Sequence, residues 1–189
     1  MNKCIVLVDN SNVFIQGRKF SAIQKGILAL PGGKQPSDPS WRIDFGGLLT
    51  VLANGRAIHA AILVGSRPPP NDGVWRAAEQ FFDVFVHDRD ANNKEKAVDT
   101  ELVAQGTEII CVAAEPMALV IASGDRDFIP LVRVAQRRGW EVEMCAFASS
   151  FSESGQMAGT VNTVRALDAN FANIGHCGFP WPVDLPSTP

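Results

Sequence analysis

The chain has 189 residues, of which 46% are hydrophobic and 20% are charged, and its formal net charge at pH 7 is −3. This length suits one domain with elaborations, and the composition excludes disordered and fibrous classes. No apolar run approaches the roughly 18 residues of a membrane helix, and the four cysteines form no CxxC pair, which disfavours membrane, zinc-ribbon and disulfide-framework proteins.

Five segments have the sequence pattern of strands in a parallel sheet, and helical patterns lie between them. The segments are 4–9, 57–65, 82–88, 118–123 and 141–147. Nearly continuous apolar runs are typical of strands covered by helices on both faces. We therefore predict an α/β doubly wound parallel sheet with strand order 3-2-1-4-5, and 163–168 is a candidate edge strand.

Two segments do not follow the strand–helix alternation. Residues 17–42 are rich in glycine and proline, and we predict a long loop there with one short helix around 21–30. Residues 175–189 contain four prolines and are predicted to be extended. We divide the chain into a domain over 1–170, with 17–42 as a loop insertion, and a Pro-rich tail over 171–189.

The apolar run before Asp9 is too short for the core of a secretory signal, and it is better explained as the first strand. We therefore expect a cytoplasmic protein with no membrane association.

Acidic residues follow two of the predicted strands at the point where each strand ends. Asp9 ends the first strand, and Asp125 and Asp127 follow the fourth. In the order 3-2-1-4-5 these strands are neighbours at the topological switch point, so the three acids are expected to share one crevice. Asp99 lies in the first turn of the helix that crosses to the fourth strand, and it is expected to complete a four-carboxylate cluster.

Taken alone, Asp9, Asp125 and Asp127 are equally well explained as turn or cap residues, and Asp99 is better explained as a plain acid in the first turn of a helix. Together, however, crowded carboxylates repel one another, and a divalent cation removes that cost. Hard oxygen ligands of this kind suit Mg²⁺ or Mn²⁺. Such an ion can offset charge on a phosphate in the transition state, so the pattern points to phosphodiester hydrolysis.

Polar and basic residues near the acids are candidates for substrate binding. Asn12 either donates its amide to the substrate or caps a turn. Lys96, Arg126 and Arg18 are expected to form a rim along a sugar–phosphate backbone. Three aromatic residues either stack on unpaired bases or belong to the core: Phe14, Phe20 and Trp41.

Three blocks of the sequence resemble the NYN domain family of PIN-like nucleases, which is related to the LabA-like proteins. The blocks are "IVLVDNSN", "KAVDTELV" and "LVIASGDRDFIPLVRVAQRRGWEVE". The third block is the most specific, because it combines "SGDxDFxPLV" after an apolar strand with a helix and "GxxVE". The resemblance covers roughly residues 3–150 and does not extend to 17–42 or to the tail.

The resemblance implies a PIN-like α/β/α sandwich with an Mg²⁺- or Mn²⁺-dependent ribonuclease site and RNA as the substrate. Carried over by motif, the acidic cluster is Asp9, Asp99, Asp125 and Asp127, and Asn12 orients the substrate. The segment 17–42 departs from the family pattern, which leaves substrate access and partner choice open.

Three other function classes share parts of this pattern. A haloacid-dehalogenase-like phosphatase requires an aspartate two residues after the first-strand acid, where this chain has Ser11. A von Willebrand A-type binding domain requires DxSxS, and Val13 replaces the second serine. A non-catalytic NYN module that binds RNA, a protein partner or a second copy of itself also fits the sequence.

Overall fold

The computed structural model describes residues 2–28, 35–67, 73–90, 95 and 97–178. The strands are β1 (Lys3–Asp9), β2 (Trp41–Ile43), β3 (Ala57–Arg67), β4 (Asp83–Asp88), β5 (Ala118–Ala122), β6 (Glu141–Ala146), β7 (Thr163–Ala166) and β8 (Gly175–Cys177). The α-helices are α1 (Asn10–Gln24), α2 (Phe45–Ala53), α3 (Gly73–Ala78), α4 (Val98–Val112), α5 (Ile129–Arg137), α6 (Gln156–Thr160) and α7 (Phe171–Ile174).

Six strands form a central parallel sheet in the order β4-β3-β1-β5-β6-β7. This arrangement confirms the α/β doubly wound class and the order 3-2-1-4-5 of the five predicted strands. The candidate edge strand corresponds to β7. None of the helices that the described residues form is long and apolar enough to cross a membrane.

The apolar strand sequences are explained by burial on both faces of the sheet. Successive residues of β1 alternate between two hydrophobic clusters, so that Val6 packs with one and Leu7 with the other. The first cluster includes residues of α1, α2 and α3, and the second includes residues of α4 and α5. All five residues of β5 are buried. These central strands carry the acidic residues at their carboxyl ends.

The prediction of a loop over 17–42 is wrong for its first part, because α1 continues to Gln24. The short helix expected around 21–30 is the end of this longer helix, and residues 29–34 lie outside the described residues. Gly17 does not mark flexibility here. It allows α1 to approach the indole ring of Trp41, which is fully buried.

The remainder of this segment is held against α1 by one buried carboxylate, Asp38. Its Oδ2 accepts hydrogen bonds from Ser21 Oγ at 2.6 Å and pairs with Lys25 Nζ at 2.7 Å. The backbone N–H of Ser40 donates to Asp38 Oδ1 at 2.8 Å. Burial opposes ionisation of Asp38, but the hydrogen bonds from Lys25, Ser21 and Ser40 together hold its pKa well below the ordinary value. The ionised Asp38 carboxylate therefore holds this segment against α1 through hydrogen bonds and an ion pair.

The extended conformation predicted for residues 175–189 holds at β8 (Gly175–Cys177), but the tail drawn over 171–189 begins with a helix and packs on the domain. Residues 171–174 form α7, and β8 pairs antiparallel with β2 in a separate two-stranded sheet. Phe171 stacks on Trp41 with ring centroids 5.7 Å apart, and Ile174 is fully buried. Residues 179–189 lie outside the described residues. The domain boundary at residue 170 stays a prediction.

Replacing Gly17 by alanine is expected to lower the free energy of unfolding by about 1–3 kcal/mol, because the added methyl group would overlap the Trp41 ring. Urea denaturation measures the change. Gly159→Ala is the matched control, because a methyl group at that helical position meets open space. The control is expected to be neutral or slightly stabilising. Equal stability of both variants would contradict the packing role of Gly17.

Candidate functional site

A cavity of about 260 Å³ lies at the carboxyl ends of β1 and β5, where the sheet topology predicts a site. It combines three of the four predicted acids with a glutamate, polar side chains and the start of α4. The lining residues are Asp9, Ser11, Asn12, Ile15, Gln16, Glu95, Ala97, Val98, Asp99 and Asp125. We refer to it as the acidic cavity.

Asp9 is the last residue of β1 and also the N-cap of α1, and its side chain is held from two directions. Its Oδ1 accepts the backbone N–H of Asn12 at 3.0 Å, and its Oδ2 accepts the hydroxyl of Ser123 at 3.2 Å. Asp9 is only 7% exposed. Burial raises the pKa of Asp9 to about 6, and the negative charges of Asp99 and Glu95 contribute to the rise.

Ser123 links the two strand ends that contribute acids. Besides donating to Asp9, its Oγ accepts the backbone N–H of Asp125 at 3.2 Å. Ser123 is fully buried at the end of β5. A serine before a glycine gives no sequence signal for a contact with a residue 114 positions away.

Asp125 and Asp127 have different surroundings although they are close in sequence. Asp125 caps the short 3₁₀ helix Arg126–Phe128, since its Oδ1 accepts the backbone N–H of Asp127 at 3.0 Å. Asp125 lines the acidic cavity, whereas Asp127 lines an adjacent cavity beside α5. The described structure therefore brings Asp9, Asp99 and Asp125 to one cavity and places Asp127 in the adjacent cavity.

Asp99 enters the acidic cavity from the first turn of α4. The preceding N-cap residue, Ala97, has a left-handed backbone with φ 66° and makes no side-chain capping bond. This conformation is unfavourable for alanine, and such strain is concentrated at functional sites. Burial raises the pKa of Asp99, and the charges of Asp125, Asp127 and Glu95 add to the effect.

Glu95 is a further acid of the cavity that the sequence interpretation missed. Its Oε1 accepts the hydroxyl of Ser11 at 2.5 Å and also the hydroxyl of Ser66, and it pairs with an Arg89 guanidinium nitrogen at 3.0 Å. The only available signal was its position four residues before Asp99, inside a charged run. That run gives no indication of which side chain turns inward.

The chemistry of these side chains fits a hard divalent cation, because carboxylate oxygens dominate the lining. The raised pKa values of Asp9 and Asp99 reflect burial and mutual repulsion, which a cation would relieve. As the side chains stand, however, no group of three or more His, Cys, Asp or Glu among the described residues is placed to hold a metal ion. The acids share a cavity without forming a closed coordination shell.

The predicted substrate-binding residues are distributed over three locations. Asn12 lines the acidic cavity and, with Arg126, a second cavity next to Asp125. Arg18 does not line the acidic cavity but borders a larger pocket beside it. Lys96 lies outside the described residues. Of the aromatic candidates, Trp41 is buried in the core and Phe20 packs against Phe147 and Phe171.

Comparison with known proteins gives one result that bears on this geometry. The family model of the NYN domain matches residues 3–164, which include all four predicted acids and the sheet from β1 to the start of β7. No curated protein matches the chain significantly. The matched range contains the doubly wound sheet expected of a PIN-like, nuclease-type domain. The chain therefore belongs to the NYN domain family.

Proposed function

We propose that this protein is an Mg²⁺- or Mn²⁺-dependent ribonuclease that hydrolyses RNA phosphodiester bonds at the acidic cavity. The observation that carries the proposal is that Asp9, Asp99 and Asp125, from three distant parts of the chain, line one cavity at the switch point of an NYN-type sheet. Burial and neighbouring negative charges raise the pKa values of Asp9 and Asp99, a cost that a bound cation would relieve.

Asp9, Asp99 and Asp125 are the residues that would hold the cation. When bound, a divalent cation supplies neutralisation of phosphate charge and lowers the pKa of water. The two hydrogen bonds to Asp9 fix its carboxylate, and Ser123 ties its position to that of Asp125. This coupling keeps the two strand ends in register without requiring the ion.

The remaining polar residues suit an RNA strand. Asn12 has a side-chain amide at the edge of the acidic cavity, and Arg126 is exposed next to Asp125. An amide donor and a guanidinium beside carboxylates provide contacts for phosphate oxygens, which the carboxylates themselves repel. We therefore assign substrate positioning to these two side chains.

One observation favours a second candidate, a non-catalytic NYN module that binds RNA or a protein partner. No three of the described acidic, histidine or cysteine side chains are placed around a common ion position. If the cavity never closes on a cation, the same surface can still bind a nucleic acid or a protein. Metal titration followed by calorimetry separates the candidates, because only the nuclease requires a bound ion.

The nuclease proposal is tested by incubating generic RNA with Mg²⁺ or Mn²⁺, with and without chelator. Asp125→Asn is expected to reduce cleavage at least about 100-fold, since it removes a carboxylate from the cavity. Asp83→Asn is the matched control and is expected to cleave normally, because Asp83 is exposed at the amino end of β4. Cleavage that survives both chelator and Asp125→Asn would contradict the proposal.

A further inference from the structure

A second pocket of about 490 Å³ adjoins the acidic cavity and shares Ser11, Ile15 and Glu95 with it. This volume lies within the range of roughly 300–1,000 Å³ that is usual for small-ligand sites. The proposed cleavage chemistry does not use it. Its wall is mainly apolar and aromatic, contributed by Phe14, Ile43, Phe45, Val74 and Trp75.

Two polar atoms on the lining residues have no hydrogen-bond partner among the described residues. They are the indole Nε1 of Trp75 and the side-chain oxygen of Asn10, and both atoms are buried. Trp75 is only 4% exposed, and its ring packs so closely against Gly65 that any side chain at position 65 would overlap it. Buried donors and acceptors are rarely left unpaired in proteins, so these two atoms mark a polar region directly behind the apolar wall of the pocket.

Two arginines on the same pocket provide positive charge. Arg18 lies over the Phe14 ring at 5.4 Å, one helical turn along α1, and its Nε donates to the carbonyl of Asp38. Arg42 donates to the carbonyls of Pro39 and Trp41. These are bonds to neutral carbonyls, and neither arginine forms an ion pair with any residue that the structure describes. Burial, followed by the like charge of Arg42, lowers the pKa of Arg18.

A third arginine connects this pocket to the acidic cavity. Arg89 pairs with Glu95, which lines both spaces, and Arg89 Nε donates to Ser66 Oγ at 3.1 Å. Its charge is therefore offset, whereas those of Arg18 and Arg42 remain available for an anion. A ligand with a flat apolar face and a phosphate matches both the aromatic wall and the two arginines.

We propose that this pocket binds one unpaired nucleotide of the RNA strand, with its base against Phe14 and Trp75 and its phosphate on Arg18 and Arg42. The adjoining strand then continues into the acidic cavity. The identification of the strand as RNA rests on the proposed function. Removing a base from a duplex costs free energy, because its pairing and stacking are lost. The pocket therefore favours RNA that is single-stranded beside the cleaved bond.

The pocket is tested in the presence of chelator, so that neither metal binding nor cleavage contributes. The probes are the four nucleoside 5′-monophosphates and ribose 5-phosphate, with binding to the full chain followed by ligand-observed NMR. At least one nucleotide is expected to bind about tenfold more tightly than ribose 5-phosphate, because a stacked base adds to the phosphate contact.

Two variants test the base and phosphate contacts separately. Val74→Trp fills the pocket and is expected to abolish nucleotide binding, whereas Arg42→Gln is expected to weaken it several-fold. Arg138→Gln, at an exposed arginine after α5, is the matched control and should bind like wild type. Circular dichroism confirms that each variant is folded. If Val74→Trp does not fold, the Arg42→Gln and ribose 5-phosphate comparisons still decide.

Equal binding of ribose 5-phosphate and every nucleotide would overturn the proposal, since the arginines would then bind anions only. Undetectable nucleotide binding, or unchanged binding by Val74→Trp or by Arg42→Gln, would overturn it too. Failure of the nuclease proposal can be distinguished from failure of the pocket proposal. If nucleotides bind in chelator but no metal-dependent cleavage occurs, the nuclease proposal is refuted and the nucleotide pocket is supported. Metal-dependent cleavage without nucleotide binding refutes only the pocket.

Discussion

Asp9→Asn is expected to stabilise the metal-free protein at neutral pH while it removes ribonuclease activity. Burial raises the pKa of Asp9 from the ordinary 3.8 to about 6, so the ionised carboxylate is costly in the folded state. A shift of this size corresponds to about 3 kcal/mol at neutral pH. Asparagine carries no charge and retains an oxygen that can accept the capping hydrogen bond from Asn12.

The stabilisation is expected to depend on pH in a defined direction. Because the folded protein binds the Asp9 proton more tightly than the unfolded chain, wild-type stability falls as pH rises from about 3.8 through about 6. The advantage of Asp9→Asn should therefore be about 3 kcal/mol at pH 7.5 and only about 1 kcal/mol at pH 4.5. Urea denaturation in chelator at these two pH values measures it.

Two further measurements connect this stability change to function. Adding Mg²⁺ or Mn²⁺ should raise the unfolding temperature of wild type but not that of Asp9→Asn, because only a folded site with its carboxylate binds the ion. Cleavage of RNA should fall at least about 100-fold. Asp83→Asn again serves as control and should resemble wild type in both assays. If Asp9→Asn is no more stable than wild type at pH 7.5, the ionised Asp9 carboxylate does not destabilise the folded protein as its raised pKa predicts.

Glu143→Ala is expected to lower the free energy of unfolding by about 3–5 kcal/mol. Glu143, on β6, is 7% exposed and pairs with Arg56 at 2.6 Å and with Arg165. Both guanidinium groups also donate to the last carbonyls of α2, where Leu52 O accepts from Arg165 at 2.8 Å and from Arg56 at 3.2 Å. Removing the carboxylate leaves two partly buried cations without their counter-charge.

The loss should appear as a fall of roughly 6–20 °C in unfolding temperature for a chain of this length. Glu141→Ala is the matched control, since Glu141 is exposed two residues earlier on the same strand, and it should change stability by less than about 0.5 kcal/mol. Glu143 does not line the acidic cavity, so folded Glu143→Ala should keep its metal affinity. A loss below about 1 kcal/mol would show that the network contributes little.

Elements whose sequence signal is local were predictable, and elements that depend on contacts between distant residues were not. The strands β1, β3 and β5 were predictable because two-sided burial requires a continuous apolar run, which is local information. The helix α1 was not predicted, and its second half was assigned to a loop because Gly17 resembles a loop residue. A glycine is required at position 17 because α1 contacts the ring of Trp41, which lies 24 positions later in the chain. Trp41 also packs closely against Gly175, on the strand β8 that pairs with β2.

The candidate site divides in the same way. The positions of Asp9 and Asp125 were predictable because a doubly wound sheet brings the carboxyl ends of neighbouring strands together, and Asp99 was expected there because its helix begins beside the same crevice. Glu95 was not predictable, since its contact with Ser11 depends on how the chain between β4 and α4 folds. Arg18 was expected at the acids, but it lies one helical turn from Phe14 and therefore borders the adjoining pocket.

By itself, then, the sequence determined the strands of the sheet and the acids that follow β1 and β5, because apolar runs and the residues that end them are local features. The strand order came with the doubly wound fold class, which places those strand ends side by side. Only the tertiary structure decided that Asp127 borders a different cavity, that Ser123 joins Asp9 to Asp125 and that an arginine-lined pocket adjoins the acids. These features depend on side-chain directions and on contacts between residues far apart in the chain, which no local pattern encodes.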